Sequence, residues 1–319
     1  MKCKWIKKLT AGIIFLAAVG SLSGCQKAAT SENLFRDIEV NMTSVESAEE
    51  NQIVKLQMGD GDSAISQESN LDIEMTRNPA SVHRKGQQKT NMAGTKETQE
   101  MESYQVEEDG KTVIYSGTDE AWEKNAVEEK ETSSQQTVLF DGLQNLSGAF
   151  SVSQDLATVN KEECFELTGT ISGTQFQETF ADTLKALLGE DSSDLSGWNL
   201  QASEDEENNE ELQQKLNNVK VDCVIDIYRN NILPAKITFD LTDYLKAAGE
   251  ENAQVTSYTL EVTFVSYNDT KKIKVPKAVK ESAKDNGEDE AENSTDEMLE
   301  YMEDVDHVVY FQRPDTKFE

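Results

Sequence analysis

Apolar residues fall on every second position in one short run after another along this chain, and that spacing limits the fold more than any other feature. Ile38, Val40 and Met42 share one parity; Val54, Leu56 and Met58 repeat it, and so do Leu71, Ile73 and Met75. Successive side chains of an extended chain point to opposite faces, so such runs predict half-buried strands, apolar inward and polar outward. Gly59-Asp60-Gly61-Asp62 and Asn78-Pro79 punctuate them as turns. The pattern fades through the polar stretch Ser81 to Glu100, which places His83 and Arg84 on an exposed strand. It returns at Tyr104–Val106 and Val113–Tyr115, on either side of a hairpin turn at Glu108-Asp109-Gly110. Further strands are predicted at Phe165–Ile171, Val219–Ile227, Ile237–Leu241 and Tyr258–Phe264.

Two stretches change to helix spacing. Leu139, Leu143, Leu146 and Phe150 form the first, and Gln175–Leu188 is the clearer second. Thr174 stands as an N-cap with Gln177 three residues on, and Gly189 stands where a C′ glycine belongs. Phe176, Phe180, Leu184 and Leu187 share one stripe of this helix, within about 80° of one another. A stripe of that kind either packs on a sheet or lines a lipid cavity, and the periodicity fits both. Gln201–Lys215 carries six acids and reads as a solvated helix or loop.

The first 25 residues have a different character. Lys2, Lys4, Lys7 and Lys8 open the chain, and Leu9–Leu22 then runs without a charge. A basic start, a short apolar core and small residues before a cut are the plan of a secretory signal peptide. The core, about 14 residues, falls short of the roughly 20 that a spanning helix needs. It closes on Leu22-Ser23-Gly24-Cys25, which resembles a bacterial lipobox. That resemblance implies cleavage after Gly24, diacylglycerol and palmitate on Cys25, and a mature chain anchored to the outer face of the cell membrane.

Composition removes several functions. The formal charge is −31, and losing the four lysines of residues 1–24 takes it to −35. So acidic a chain has no field with which to hold nucleic acid or an anionic bilayer. Only two histidines are present, His83 and His307, and neither lies in a nucleophile context; no Gly-x-Ser-x-Gly, His-Glu-x-x-His or P-loop occurs. Asp60-Gly61-Asp62 and Asp285-Asn286-Gly287 begin like calcium loops but lack the glycine at position six. No enzyme, metal or cofactor is expected. Cys164 and Cys223 lie on predicted strands, Cys223 on the apolar face and Cys164 on the polar one, which opposes a disulfide unless a bulge intervenes. Eleven acids and no base between Asp285 and Asp306 predict a disordered tail, with Val308, Val309, Tyr310 and Phe311 as a small apolar island beyond it.

Val113-Ile114-Tyr115 followed by Glu120-Ala121-Trp122, then Leu233-Pro234-Ala235-Lys236-Ile237, then Tyr258–Phe264 leading into Lys272-Ile273-Lys274-Val275-Pro276, resemble a family of Gram-positive lipoproteins with a LolA/LppX-like fold, many of unknown function. The similarity spans Phe35 to Ala283 in strands and turns, none of them catalytic. It implies an α+β protein: a large, curved antiparallel sheet, a half-barrel, with helices on its concave face. In characterised relatives the space between carries an acyl chain or lipoprotein. The insertion at Gln201–Lys215 and the tail from Lys284 depart from the pattern. The expected organisation is a signal peptide at 1–24, a lipidated tether at 25–34, the LolA/LppX-like domain at 35–283 and an acidic tail at 284–319. The expected function is a non-enzymatic lipid- or amphiphile-binding carrier or chaperone at the envelope, with Phe176, Phe180, Leu184 and Leu187 lining its cavity. The alternative is an envelope scaffold, a protein-interaction module with a filled core and no ligand.

Overall fold

The computed structural model describes residues 29–59, 64–92, 94–118, 121–127, 142–188, 206–248 and 255–285. Strands β1 (Ser47–Met58), β2 (Ile65–Arg77), β3 (Ala80–Met92), β4 (Thr95–Glu108), β5 (Lys111–Thr118) and β6 (Ala121–Val127) follow one another as a meander. Strands β7 (Phe150–Val159), β8 (Glu162–Ser172), β9 (Lys220–Tyr228), β10 (Pro234–Asp240) and β11 (Val255–Tyr267) complete the sheet, with a two-residue β12 (Lys284–Asp285) at the far edge. The order is β12-β6-β5-β4-β3-β2-β1-β11-β10-β9-β8-β7. Every pairing is antiparallel except that of β12 with β6. The first half of the sheet therefore grows outward from β1, and the second grows inward to meet it at β11. This is the open, curved antiparallel sheet of the α+β class that the alternation and the resemblance lead one to expect.

The turns follow from residues that tolerate positive φ. Asp109 and Gly110 lie at φ 53° and 75° between β4 and β5, and Asn160 and Lys161 at 51° and 70° between β7 and β8. Two consecutive positive values are the two-residue hairpin whose twist suits the flanking strands. Gly86, in the middle of β3, serves a different purpose. A Cβ built on it would lie 2.0 Å from the Asn70 carbonyl oxygen and 2.9 Å from the Leu71 Cα. Only glycine lets β2 close over β3 at that point, as a tightly coiled sheet requires. Gly86→Ala is expected to cost about 1–3 kcal/mol in urea unfolding, as overpacking against backbone does. Wild-type stability in that variant would show that the two strands part freely there.

Most of the described helices cover one side of the sheet, here called the inner side. Helix α1 (Ser31–Met42) begins at Thr30, whose hydroxyl accepts from Asn33 N at 3.3 Å. The strand expected at Ile38, Val40 and Met42 is thus helical. Leu34, Phe35, Ile38 and Met42 are buried at helix spacing, and Val40, which completed the false alternation, is 62% exposed. Ile38 and Met42 are four residues apart, a spacing that a strand and a helix both put on one face. Arg77 donates to the carbonyls of Met42 and Thr43 at the end of α1, satisfying acceptors that a helix C-terminus leaves open. Helix α2 (Leu143–Leu146) and a 3₁₀ turn at Ser147–Ala149 lead into β7. Phe150 opens that strand rather than closing the helix.

Helix α3 (Gly173–Leu188) is the predicted helix, with its cap two residues earlier than the sequence placed it. Ser172 Oγ accepts from Gln175 N at 3.1 Å, and Gln175 Oε1 accepts from Ser172 N at 3.0 Å. That reciprocal pair is the capping box. Thr174 instead donates to Asn217 Oδ1 at 2.8 Å. Within the polar insertion, α4 (Glu206–Asn217) buries Leu216. Helix α5 (Thr242–Ala248), between β10 and β11, buries Tyr244, Leu245 and Ala248 and was not anticipated.

The main apolar core lies between these helices and the inner side of β7–β11 and β1. A second cluster lies on the outer side. There Ile273, Val275 and Val279, the last on helix α6 (Lys277–Ser282), cover Tyr104, Val106, Val113, Tyr115 and Trp122. Lys280 pairs with Glu108, which also accepts from Tyr115 Oη at 2.9 Å. The stretch read as an acidic tail therefore starts as the edge strand β12, and residues from 286 on lie outside the described part. Cys223 faces the inner side, paired with Gly169 and Phe239; Cys164 faces the outer side, paired with Tyr228. Both are free. Burial pushes both thiols up, Cys164 to about 11, and a thiol so held is a poor nucleophile.

Candidate functional site

The inner side changes character at one strand. In register, Leu167, Ile225, Ile237 and Val262 cross β8, β9, β10 and β11 as an unbroken apolar row. The same row continues as Gln52 on β1, Leu71 on β2, Gly86 on β3 and Met101 on β4. The neighbouring row passes from Phe264 to Glu50, Ile73, Arg84, Ser103 and Ser116. No residue of β2–β6 belongs to the main core, although Ala48, Ile73, Met75 and Val82 form a small cluster just past it. Leu71 is half-buried and packs against that cluster; farther on, Ile114 is half-buried and Met101 is 37% exposed. One half of the inner face is filled, and the other carries apolar side chains that the described helices do not cover.

Phe176 and Phe180 lie in the filled half, 0% and 1% exposed. The Phe176 ring centroid is 4.9 Å from that of Tyr244 and 5.3 Å from that of Phe239; Phe180 is 5.0 Å from Phe239. All three contacts are steeply tilted, the edge-to-face geometry that aromatic quadrupoles favour. Helix α3 presents both rings to β10 and α5. The side chains of Leu184 and Leu187 lie outside the described residues, and so does Cys25, so only half of the predicted stripe is placed.

Two residues at the boundary escaped the sequence reading. Glu50 and Gln52 are 2% and 1% exposed, and neither Glu50 carboxylate oxygen nor Gln52 Oε1 has a hydrogen-bond partner among the described residues. Burial pushes the Glu50 carboxyl up to about 7, against a downward pull from the positive charge of Arg84. Burial in turn lowers Arg84, opposed by Glu50. A signal for them was present. Counting back by twos from Met58 gives Leu56, Val54, Gln52 and Glu50, so the alternation itself aims these two polar groups inward.

His83 and Arg84, adjacent in β3, point to opposite sides. His83 stacks on Tyr104 with centroids 4.3 Å apart, its Nε2 2.9 Å from Glu102 and its Nδ1 3.4 Å from Glu74. Burial would raise Glu102, but hydrogen bonds from Tyr104, His83 and Lys85 outweigh it and hold the carboxyl below its usual range. This is a brace across β2, β3 and β4. Among the described residues no group of three or more His, Cys, Asp or Glu is arranged to hold a metal ion, and no helix is long and apolar enough to cross a membrane.

These features define an α+β half-barrel: a curved antiparallel sheet, partly filled by helices, with apolar side chains interspersed among polar ones on its inner side past them. The chain belongs to DUF6612, a family of unknown function, whose model matches residues 30–284. Among solved structures it is similar to LprF from Mycobacterium bovis, at 12% identity and a TM-score of 0.42, over 77% of this chain and 96% of that one. It is also similar to the lipoprotein LppX of Mycobacterium tuberculosis, at 14% identity and a TM-score of 0.40, over 76% and 98% of the two chains. A LolA superfamily protein from Nitrosomonas europaea matches at 8% identity and a TM-score of 0.21, over 79% and 97%. At these identities and scores the likeness carries no function across to this chain. No curated protein matches it.

Proposed function

We propose that this chain is a non-enzymatic carrier or chaperone for an acyl lipid or similar amphiphile, held on the outer face of the cell membrane through lipid on Cys25. The observation that carries the reading is the inner side of the sheet, where apolar positions continue past the end of the helix-covered core to Leu71, Met101 and Ile114. An apolar strip next to a packed layer is what an alkyl chain needs to leave water, at about 0.8 kcal/mol per buried methylene. The test is native mass spectrometry of the full chain purified from a bacterial host. Acyl-bearing species that survive delipidation of the surface and dissociate on unfolding are expected. A ligand-free spectrum, with no uptake of added oleoyl lipid, would overturn the reading.

The anchor is tested separately. Cys25→Ala is expected to abolish incorporation of a clickable fatty acid and to leave the chain unprocessed or released. Equal labelling of wild type and variant would refute the anchor without touching the carrier. One observation favours a second reading, an envelope interaction module with a filled core: the close aromatic packing of Phe176 and Phe180 against Phe239 and Tyr244. In that case α3 seals the sheet and the acidic surface makes the contacts.

A further inference from the structure

We propose that Glu50, Gln52 and Arg84 form the polar end of the ligand site, and that they receive a neutral, hydroxyl-bearing end of an acyl amphiphile. This inference rests on the carrier reading and adds to it the chemistry of the headgroup.

Three acceptor oxygens, two on Glu50 and one on Gln52, are buried without a hydrogen-bond partner among the described residues. Buried polar atoms are nearly always hydrogen-bonded, since leaving one unmade forfeits its hydration. Both residues lie on β1, two apart, aimed to the same side. They stand on the line where the filled core gives way to the open strip: Glu50 between Phe264 and Ile73, Gln52 between Val262 and Leu71. Arg84 follows Ile73 in the Glu50 row on that side. A ligand whose tail lay along Leu71 and Met101 would have its polar end beside this group.

The charges narrow the choice. Above about pH 7 the Glu50 carboxyl is ionised and opposite in sign to Arg84, so the site then has no net field to attract a charged headgroup. A carboxylate end offers no proton to the orphaned oxygens and sets a second negative charge beside Glu50. An ester end offers no donor either. A hydroxyl donates to Glu50 or Gln52 while its oxygen can still accept from the Arg84 guanidinium, so a glycerol end with two hydroxyls serves both acceptor residues. Such an end, reaching these residues, supplies the donors that the buried acceptors lack.

The test uses the full chain and three probes with one acyl tail: monooleoylglycerol, methyl oleate and oleate, competed at equal concentration and read by native mass spectrometry. Two net hydrogen bonds of about 1 kcal/mol each predict a preference of roughly tenfold or more for the glycerol ester. Glu50→Leu, which leaves Gln52 as the one acceptor, is expected to cut the preference to about fivefold while methyl oleate binding persists, the fold-change of one remaining bond of about 1 kcal/mol. Glu50→Gln keeps one acceptor, serves if the leucine variant folds poorly, and is expected to fall between. Wild type that retains all three probes equally would overturn this inference and leave the carrier standing. So would Glu50→Leu with an unchanged preference, which would mean that the oxygens are merely buried. Wild type that retains none of the probes would end both.

Discussion

The Phe180→Ala variant is expected to unfold about 3–5 kcal/mol more easily than the wild type, the range for deleting a large buried side chain from a close-packed core. Phe180 is 1% exposed, with its ring 5.0 Å from Phe239 and 5.6 Å from Phe176. Phe239 lies on β10 and Phe176 one turn earlier on α3, so the space left cannot close without moving α3 or β10. Urea unfolding measures the loss, and co-purified acyl ligand is counted on the same sample. A loss nearer ~1 kcal/mol, with ligand retention reduced, would mean that the ring is wall rather than filling. A large loss, together with no lipid in the wild type, would favour the interaction module over the carrier.

Stability is expected to fall as pH rises from about 4.5 to about 7. Two carboxyls are held well above their usual values. Burial raises Glu50 from 4.5 to about 7, and burial with the nearby charge of Glu166 raises Asp226 from 3.8 to about 6 despite Lys236. The folded protein keeps these protons after the unfolded chain has lost them. Their contribution is therefore complete below the unfolded values and is lost as pH climbs through the folded ones. Glu102 and Glu108 are held low instead, Glu102 through the bonds described above and Glu108 because the bonds from Lys280 and Tyr115 outweigh its burial. They act in the opposite direction, but only at pH below the ordinary glutamate range. Glu50 alone accounts for a loss on the order of 3 kcal/mol between pH 5 and 8. Glu50→Gln should flatten that slope, because glutamine carries no titrating proton. An unchanged slope in the variant would assign the pH dependence to the general acidity of the chain.

The strands were legible because burial of one sheet face writes itself as a period of two. Val54 to Met58, Leu71 to Met75, Val221 to Ile227 and Tyr258 to Phe264 all lie on strands in the predicted phase, and the same phase set Cys164 and Cys223 on opposite faces. The α3 helix was legible for the same reason at a different period. Where two periods coincide the sequence could not choose: Ile38 and Met42 suit both, and only α1 packing against the sheet decides that Val40 is outside. The α3 cap was misplaced because Ser172 and Thr174 both have a hydroxyl and a glutamine three residues on. The choice depends on Thr174 being drawn to Asn217 of α4.

By itself, then, the sequence determined an antiparallel sheet with one apolar face, its turns and a long amphipathic helix, since each is written in local spacing. It even aimed Glu50 and Gln52 inward. What it did not contain is the join between β1 and β11, which brings residues some two hundred positions apart into register. That join decides where the helix-covered core ends, and so whether an inward-facing residue is filling, wall or polar rim. Side-chain direction is a local property of the backbone, but burial is a property of what packs on top. Only the tertiary structure supplies that, which is why Glu50 reads as an ordinary strand acid in the chain and, in the fold, as a buried carboxyl without a hydrogen-bond partner among the described residues.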